Sequence, residues 1–470
     1  MKMWSGRFRE PLDPAFEQWQ RSIVFDWQLL PQEVAASKAH AKALRAAGIL
    51  KVEELNKISD ALDDVLGTFW TPEKHGAIRD HGIAEDIHHF VELQMVERIG
   101  DVGLKLHTGR SRNEQIATDL RLYVRECITV LAGQLLKWSA ALAKKAHSLG
   151  DAVMPAYTHL QRAEPVLAAH WLQAYIEMIL RDITRLIDCR DRLNLCPLGS
   201  GAVAGATLKL DRRIAAAELG FFGPTLNSMD ATSDRDFVLE YLHALTIMGL
   251  HISRFAEEIT LYATAEFGFI ELPEAFSTGS SAMPQKKNPD LTELARAKVG
   301  RISGAAQTVT LLLKGLPLAY NKDLQETQEP VFGASTAAIS LVSLLTRFTL
   351  ALEFKTERMR ESCQTGFLNA MAAATYLVHK GVPFRTAHEK IGQAVRYSLG
   401  KGCELADLSL EELRDFGQEF DQDFFACITL EATVDCHDVS GGTATARVKE
   451  ALLALEPRLV EITGLIDAHS

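Results

Sequence analysis

Apolar residues recur along most of this chain at spacings of three or four, which is the period of a helix buried on one side. The clearest case is a single stripe formed by Phe237, Tyr241, Leu245, Met248, Ile252, Phe255 and Ile259. A helix around this stripe, from about Ser233 to Phe267, would be roughly 50 Å long at about 1.5 Å per residue. The pattern therefore predicts a helix longer than one small domain can bury.

The same period predicts several other long helices, and the prolines leave room for them. No proline occurs between Pro72 and Pro155 or between Pro330 and Pro383. Short alternating runs rich in Val, Ile and Thr, which mark strands, are almost absent. The further candidates are Asn113 to Ser148, Pro165 to Leu193, Asp290 to Lys314 and Pro330 to Leu352. We therefore predict an all-α fold built on a long-helix bundle.

The helix pattern also suggests three domains. Residues 1–112 are expected to form a mainly helical N-terminal domain, 113–361 the central long-helix bundle and oligomerisation domain, and 362–470 a small helical C-terminal domain. Helices of this length favour a bundle completed by other subunits, with a long monomeric bundle as the alternative.

Composition is that of an ordinary globular protein and argues against several classes of function. Of the 470 residues, 47% are hydrophobic and 24% are charged. The net charge of −11 argues against nucleic-acid binding, so an anionic substrate would need a local cluster of Arg and Lys. Seven cysteines without a CxxC pair are typical of reduced thiols in the cytoplasm. The N-terminus lacks the apolar core of a signal peptide, and Arg347 interrupts the apolar run from Val331 to Leu352, which favours a buried helix over a membrane span.

The most informative stretch, STGSSAMPQKKNPD, runs from Ser277 to Asp290. Its Gly and Ser residues allow a mobile backbone that offers N–H and hydroxyl groups to a ligand. Lys286 and Asn288 add positive charge and amide donors, and a predicted helix begins at about Asp290. This combination favours binding of an anion that undergoes chemistry.

This stretch resembles the GSSxMPxKxNP signature of the fumarase/aspartase superfamily. Within that superfamily, the MPQKKNPD version is similar to that of the argininosuccinate lyase family. The resemblance extends from Trp4 to about Phe384 and implies a fumarase/aspartase-like fold, in which the helical bundle is flanked by two smaller domains.

A second polar cluster, HTGRSRNEQIATD, runs from His107 to Asp119. Arginines beside a helix N-terminus can hold carboxylates through bidentate hydrogen bonds. The cluster resembles the HTxRSRNDQ segment of argininosuccinate lyases, although Gly109 replaces the usual Ala and Glu114 the usual Asp. The resemblance implies that Arg110 and Asn113 bind substrate, with Arg112 as a further candidate.

A third cluster, YTHLQRAEP, runs from Tyr157 to Pro165, where we expect the next helix to begin. The pKa of histidine suits proton transfer near neutral pH. The cluster resembles the THLQxAxP segment of the superfamily. That resemblance implies a catalytic role for His159 and substrate contacts for Thr158 and Gln161.

Further candidates come from matches elsewhere in the chain. In AYNKDLQE, Tyr320 and Gln325 match residues that hold the arginine portion of the substrate in the family. Gln328 stands where many members have a substrate-contacting Lys, and Ser22 matches another position that contacts the substrate.

A group of acidic and histidine side chains at helical spacing could suggest a metal site: Glu85, Asp86, His88 and His89. A closed site needs more converging ligands than the sequence shows. The matching EDIH segment of the family lies near a metal-free active site. We therefore expect no metal and no cofactor, and we keep His88 as a site candidate.

The resemblance implies the reversible elimination of argininosuccinate to fumarate and arginine, the last step of arginine biosynthesis. We assign the base to Ser280, with Ser281 as the alternative, because sequence alone does not decide between neighbours. Lys286 and Asn288 would stabilise the charge that develops on the substrate carboxylate. His159, supported by Glu293, would assist departure of the guanidino nitrogen.

Long helices separate His159 from Ser280 in the sequence. The family builds each site from three subunits of a tetramer, so the resemblance implies a cytoplasmic homotetramer with shared sites. It implies no nucleic-acid or membrane partner.

Three other functions remain possible from sequence. One is a sister lyase that acts on adenylosuccinate, fumarate/malate or aspartate, and the MPQKKNPD and AYNKDLQE strings argue against it. Another is a non-catalytic structural protein, since the family has been recruited as a lens crystallin. A helical scaffold protein would leave the signature stretch unexplained.

Overall fold

The computed structural model of the protein describes residues 10–468, and most of these residues are helical. The α-helices in chain order are α1 (Pro14–Trp19), α2 (Ile23–Asp26), α3 (Leu30–Ala46), α4 (Val52–Phe69), α5 (His75–Arg79), α6 (Ile87–Ile99), α7 (Asp101–Leu104), α8 (Arg112–Leu149), α9 (Ala168–Leu193), α10 (Arg212–Glu218), α11 (Ser228–Ser233), α12 (Asp236–Tyr262), α13 (Asp290–Leu313), α14 (Gln328–Ala351), α15 (Thr356–Ser362), α16 (Ala370–His379), α17 (Phe384–Lys401), α18 (Leu410–Arg414), α19 (Phe424–Cys427), α20 (Leu430–Asp435) and α21 (Thr445–Asp467).

Short strands and 3₁₀ turns connect these helices. The strands are β1 (Val153–Thr158), β2 (Gln161–Leu167), β3 (Leu195–Cys196), β4 (Gly223–Pro224), β5 (Ile270–Glu271), β6 (Thr278–Gly279), β7 (Lys287–Asn288) and β8 (Glu353–Phe354). They form the two-stranded pairs β1–β2, β3–β4, β5–β8 and β6–β7. The 3₁₀ turns are Trp27–Leu29, Lys105–His107, Glu274–Phe276, Lys322–Thr327 and Leu405–Asp407.

The long helices are those that the apolar period predicts. All seven residues of the predicted stripe on α12 are buried, each at most 3% exposed. Helix α8 has 38 residues, which corresponds to about 57 Å. The all-α prediction is therefore confirmed.

Helix α14 is the apolar helix for which a membrane span had to be considered. Together with the 3₁₀ turn before it, the stretch Lys322–Ala351 is long and apolar enough to cross a membrane. However, 56% of its most apolar window is buried within the protein, as in a core helix.

The hairpin formed by β1 and β2 is an element that the sequence reading missed. Its antiparallel register pairs Val153 with Leu167 and Thr158 with Gln161. Helix α9 consequently begins at Ala168, and the expectation that it begins near Pro165 was wrong. The prolines explain the error, because Pro155 and Pro165 face each other next to a bulge, where a missing N–H is tolerated.

The chain divides into two compact units. Unit 1 contains the chain up to Val130, Arg185–Thr246 and Arg301–Ala338. Unit 2 contains Leu131–Thr184, Ile247–Gly300 and the chain from Ile339 onward. The division into domains 1–112, 113–361 and 362–470 stays a prediction.

All seven cysteines lie within the described residues and all are free. Burial raises the pKa of the Cys127 thiol to about 11, so this side chain packs as a small apolar group.

Candidate functional site

In unit 1, Arg110 and Arg112 lie at the start of helix α8. The Glu114 carboxylate accepts hydrogen bonds from the backbone N–H groups of Ser111 (3.0 Å) and Gly201 (2.8 Å). It thereby caps the helix and ties it to the loop around Gly201. The Asn113 side chain donates to the Ala202 carbonyl of the same loop (3.3 Å).

The glycine at position 109, where the family usually has Ala, has a local explanation. Gly109 has φ of +70°, a conformation that glycine adopts without strain. A Cβ atom at this position would lie 2.8 Å from Cδ1 of Leu208. An alanine would therefore be strained and would also displace the Leu208 side chain.

Behind the start of α8 lies a buried polar cluster, formed by Glu33, Ser37, His88, Arg110, Gln115 and Asp119, each at most 9% exposed. Glu33 is at its centre. One Glu33 oxygen lies 2.7 Å from His88 Nδ1, and the other accepts from Ser37 Oγ (2.6 Å). Arg110 donates to Ser37 Oγ (2.9 Å) and has Nη2 3.8 Å from Glu33. The Arg110 side chain is thus engaged inside unit 1.

The two carboxyl groups of this cluster differ in their pKa values. Although burial alone would raise the pKa of Glu33, the neighbouring His88 and Arg110 lower it below its ordinary value. Burial, followed by the charge of Glu33, raises the pKa of Asp119 well above its ordinary value. Two carboxyl groups this close do not both ionise readily, and the proton resides on Asp119.

The ligand atoms of Glu33, His88 and Asp119 lie within 4.8 Å of one another, as in a metal site. Their donor set nevertheless fits a metal poorly. Glu33 already accepts from Ser37 and Gln115, and the Arg110 guanidinium lies beside it. Among the described residues, the helical group considered from sequence does not bring three ligand atoms together, and Asp86 caps α6 by accepting from His89 N (2.7 Å).

A second polar region of unit 1 contains Ser22, Tyr320 and Gln325. Ser22 Oγ donates to Asp26 (2.6 Å), and the Gln325 side chain donates to the Gln20 carbonyl (3.1 Å). Burial raises the pKa of Tyr320 to about 12, so the phenol is protonated at neutral pH. Its hydroxyl can therefore donate a hydrogen bond to a ligand.

Asp26 and Asp86 form the acidic part of this region. Burial, followed by the charge of Asp86, raises the pKa of Asp26 well above its ordinary value. Burial acts in the same direction on Asp86, but the charges of Arg112 and His88 outweigh it and lower the pKa of Asp86. Asp86 is accordingly the ionised partner of Arg112, with Oδ2 3.0 Å from Nε.

Gln328, where the family often has Lys, is the first residue of α14 and is 1% exposed. Among the described residues, its Oε1 atom has no hydrogen-bond partner. A buried acceptor without a partner is costly, and a ligand N–H could satisfy it.

In unit 2, the hairpin carries His159 on its turn. Both turn residues, His159 (φ 53°) and Leu160 (φ 57°), have positive φ angles, as in a type I′ turn. Thr158 and Gln161 are the flanking pair, and all four residues are exposed. Histidine is among the residue types enriched at positive φ, but leucine is not, so the strain of this turn lies at Leu160. Such strain is common at functional sites.

The signature stretch forms a second hairpin in unit 2. Strand β6 pairs with β7, so that Thr278 faces Asn288, and α13 begins at Asp290. Asp290 Oδ2 accepts from the Thr278 hydroxyl (2.6 Å) and fixes the base of the loop. Ser280 Oγ accepts from the backbone N–H groups of Ala282 (3.3 Å) and Met283 (3.1 Å).

Lys286, Ser281 and Glu293 are exposed around this loop. Within residues 10–468 of the single chain, no hydrogen bond or ion pair joins Glu293 to His159. Their pairing stays a prediction. All the predicted site residues fall into two sets: Ser22, His88, Arg110, Arg112, Asn113, Tyr320, Gln325 and Gln328 in unit 1, and Thr158, His159, Gln161, Ser280, Ser281, Lys286, Asn288 and Glu293 in unit 2.

The sequence reading missed Glu33, Gln115 and Asp119. Gln115 and Asp119 lie inside the HTGRSRNEQIATD cluster, on a face of the predicted helix that has to be buried. Polar residues on a buried face usually have a polar partner, and this was the available signal. Glu33 lies on α3, far away in sequence, and gave no signal of its own.

Comparisons with known proteins give consistent similarities. The family described as Lyase matches residues 6–304, and the family described as Argininosuccinate lyase C-terminal matches residues 367–435. The argininosuccinate lyase of Acidobacterium capsulatum is 67% identical over 99% of this chain and 97% of its own length. That of Koribacter versatilis is 55% identical over 98% of each chain.

Solved structures show the same fold. An EDDS lyase variant with bound fumarate has a TM-score of 0.82 at 25% identity, covering 98% of this chain and 93% of its own. A class II fumarase from Schistosoma mansoni has a TM-score of 0.74 at 15% identity, covering 89% and 92%.

Proposed function

The chain belongs to the argininosuccinate lyase family of the fumarase/aspartase superfamily, and on this premise we propose how its residues carry out the reaction. The reaction of the family is the reversible elimination of argininosuccinate to fumarate and arginine. We place it as the last step of arginine biosynthesis, in the cytoplasm and without a cofactor.

The chemical difficulty lies in removing a proton next to a carboxylate. The carbanion that forms carries an additional negative charge, which spreads onto that carboxylate. Donors fixed around it lower the barrier, and each is worth about 3–4 kcal/mol by analogy with oxyanion-hole deletions. Lys286 and Asn288 are the residues that we assign to this task.

Ser280 is the proposed base. The observation that carries this assignment is the pair of backbone N–H groups, from Ala282 and Met283, that point at its Oγ atom. Hydrogen bonds to the charged form favour it, so these two groups make an alkoxide at Ser280 more accessible. The charge of Lys286 acts in the same direction. Ser281 remains the alternative.

His159, oriented by Glu293 of another subunit, is proposed to protonate the departing guanidino nitrogen. The strained turn places the imidazole at the exposed end of the hairpin, where a substrate held elsewhere can reach it. Thr158 and Gln161 flank it and would contact the same substrate.

The residues of unit 1 are proposed to bind and orient the substrate. Arg112 and Asn113 at the start of α8 would hold a carboxylate, and Arg110 would support them from the buried cluster. Tyr320, Gln325 and Ser22 would bind the arginine portion. Gln328 would offer its unpartnered oxygen to an N–H group of the substrate.

A homotetramer with shared sites is proposed because the argininosuccinate lyase family builds each site from three subunits. Large apolar side chains on the long helices support it. Leu250 on α12, Leu294 on α13 and Leu311 on α13 are 54%, 58% and 71% exposed. Exposed apolar side chains of this size on bundle helices are typical of faces that other subunits cover.

The function is tested by following fumarate release by ultraviolet absorbance. Wild-type protein should cleave argininosuccinate and should not act on adenylosuccinate, malate or aspartate. Ser280→Ala should lower kcat by at least about a thousandfold with little change in substrate binding, because it removes the base. Thr278→Ala is a control that removes the hydrogen bond to Asp290 where the same loop begins and leaves Ser280 in place.

Two results would count against the proposal. A wild-type protein without lyase activity would indicate a structural relative instead. A Ser280→Ala variant with near-normal kcat would refute the assignment of the base, and Ser281→Ala would then be tested in the same way.

A further inference from the structure

A continuous chain of buried contacts connects Glu33 to the guanidinium of Arg112. Gln115 Nε2 donates to both Glu33 oxygens, at 3.2 and 3.4 Å. At the other end of the same amide, Gln115 Oε1 accepts from Arg112 Nη1 at 2.9 Å. Gln115 and Glu33 are each 1% exposed, so solvent does not compete for the hydrogen bonds between them.

The chemistry of the partners fixes the orientation of the Gln115 amide. An ionised carboxylate only accepts hydrogen bonds, and a guanidinium only donates them. If the amide were rotated by half a turn, its oxygen would face the Glu33 carboxylate and its NH₂ group would face the Arg112 guanidinium. Neither pair could then form a hydrogen bond. Glu33 therefore decides which end of Gln115 is presented to Arg112.

Glu33 is itself held on three sides. Ser37 Oγ donates to it at 2.6 Å, His88 Nδ1 lies at 2.7 Å, and Arg110 Nη2 lies at 3.8 Å. These contacts hold an ionised carboxylate in one position within the core of unit 1. A charge-assisted network of this kind is rigid when all its members are satisfied.

The Arg112 guanidinium is also fixed from its other side. Its Nε atom lies 3.0 Å from Oδ2 of Asp86, and the Asp86 carboxylate accepts from the backbone of helix α6. The hydrogen bond from Nη1 to Gln115 gives the planar guanidinium a directional contact, and the ion pair with Asp86 holds its Nε side in place. The Arg112 side chain is 18% exposed and can still reach a ligand.

We propose that Glu33 and Gln115 are positioning residues that aim the Arg112 guanidinium at a carboxylate of the substrate. The inference rests on the proposed function, because it takes Arg112 as a carboxylate contact. Neither residue touches the substrate. Each acts through the next, from Glu33 to Gln115 and from Gln115 to Arg112.

The test uses Gln115→Met and Glu33→Gln in the full-length protein. Gln115→Met keeps the length of the side chain and removes both ends of the bridge. The matched control is His251→Gln, which disrupts another histidine–carboxylate pair. His251 Nδ1 lies 2.7 Å from Asp182, and His251 is far in the sequence from every proposed site residue. Succinate serves as a dicarboxylate inhibitor and arginine as an inhibitor that probes the other half of the site.

Both variants should raise KM for argininosuccinate and the inhibition constant of succinate about tenfold or more, because a misaimed guanidinium loses its bidentate geometry. The inhibition constant of arginine should change less than about twofold, and His251→Gln should leave all three constants near wild-type values. A general loss of structure would instead weaken both inhibitors together.

The proposal would be overturned if the inhibition constants of succinate and arginine rose equally, or if that of succinate were unchanged in Gln115→Met. If Glu33→Gln does not fold, as judged by circular dichroism, Gln115→Met alone decides. A wild-type enzyme that fails to cleave argininosuccinate would refute the proposed function instead, so the two failures are distinguishable.

Discussion

At the residue scale, Glu114 joins the start of helix α8 to a neighbouring loop. It stands where argininosuccinate lyases usually have Asp, and its side chain accepts from both Ser111 N and Gly201 N. The first contact caps α8 and the second ties it to the loop that Asn113 also contacts. The substitution keeps a carboxylate at the helix N-terminus, where it interacts favourably with the helix dipole.

The protonated Asp119 in the buried cluster leads to a prediction with a defined sign. Asn is nearly the same shape as a protonated Asp and can likewise donate to Glu33, so Asp119→Asn should fold and stay active. The folded-state pKa of Asp119 is raised, so the wild type loses stability as pH rises above the ordinary Asp value of about 3.9, by up to about 1.4 kcal/mol per pH unit. The variant lacks this loss.

Thermal unfolding at pH 5 and pH 8 checks this prediction. The Tm of Asp119→Asn relative to wild type should be higher at pH 8 than at pH 5, and Asp119→Ala should be less stable than wild type at both. A variant that is destabilised more at pH 8 than at pH 5 would show that Asp119 is ionised and pairs with Arg110.

At the element scale, the β1–β2 hairpin combines strain with exposure. Leu160 has φ of 57° and is 71% exposed, so neither local conformation nor burial within the chain accounts for a leucine there. A turn selected for stability alone would have Asn and Gly at these positions. The proposed tetramer offers a reason, since another subunit can cover the apolar side chain near His159.

Substitutions at Leu160 should reveal the strain. Asn tolerates positive φ, whereas the β-branched side chain of Ile does not, so Leu160→Asn should be more stable than Leu160→Ile by about 1 kcal/mol. At Gln161, which lies in strand β2, the order should reverse because Ile favours strands. Tm values of the four variants provide the measurement, and the same order at both positions would contradict the turn assignment.

At the scale of the whole molecule, the proposed chemistry draws on elements that are far apart in the sequence. His159 is on an exposed turn, and Ser280 is on a separate loop before α13. The long helices allow such groups to be supplied by different subunits of one assembly. If sites are shared, the fraction of active sites in an assembly of two different variants can be calculated.

Mixing two inactive variants tests this sharing. His159→Asn and Ser280→Ala proteins are dissociated, combined in equal amounts and reassembled. If the two residues come from different chains, about a quarter of the sites should receive both wild-type residues and regain activity. Mixed assemblies, confirmed by native mass spectrometry, that show no recovered activity would contradict shared sites.

The helical architecture was predictable because the 3.6-residue period is a local property of the sequence. Each residue of the α12 stripe could be identified from spacing alone, and all are buried. The hairpin was not predictable in this way, because Pro165 is typical of the first turn of a helix although it lies in a strand here. The signature stretches could be recognised as strings, but recognition gave residue identities and no contacts.

The sequence by itself determined the helices, the polar strings and the family to which they are similar, because each of these is written in consecutive residues. Only the tertiary structure decided that Glu33, His88 and Asp119 meet in one buried cluster and that Gln115 links this cluster to Arg112. These residues lie on α3, α6 and α8. Their proximity results from helix packing. Both carboxyl groups are buried, and the His88 and Arg110 side chains that packing brings to Glu33 determine that Asp119 keeps the proton.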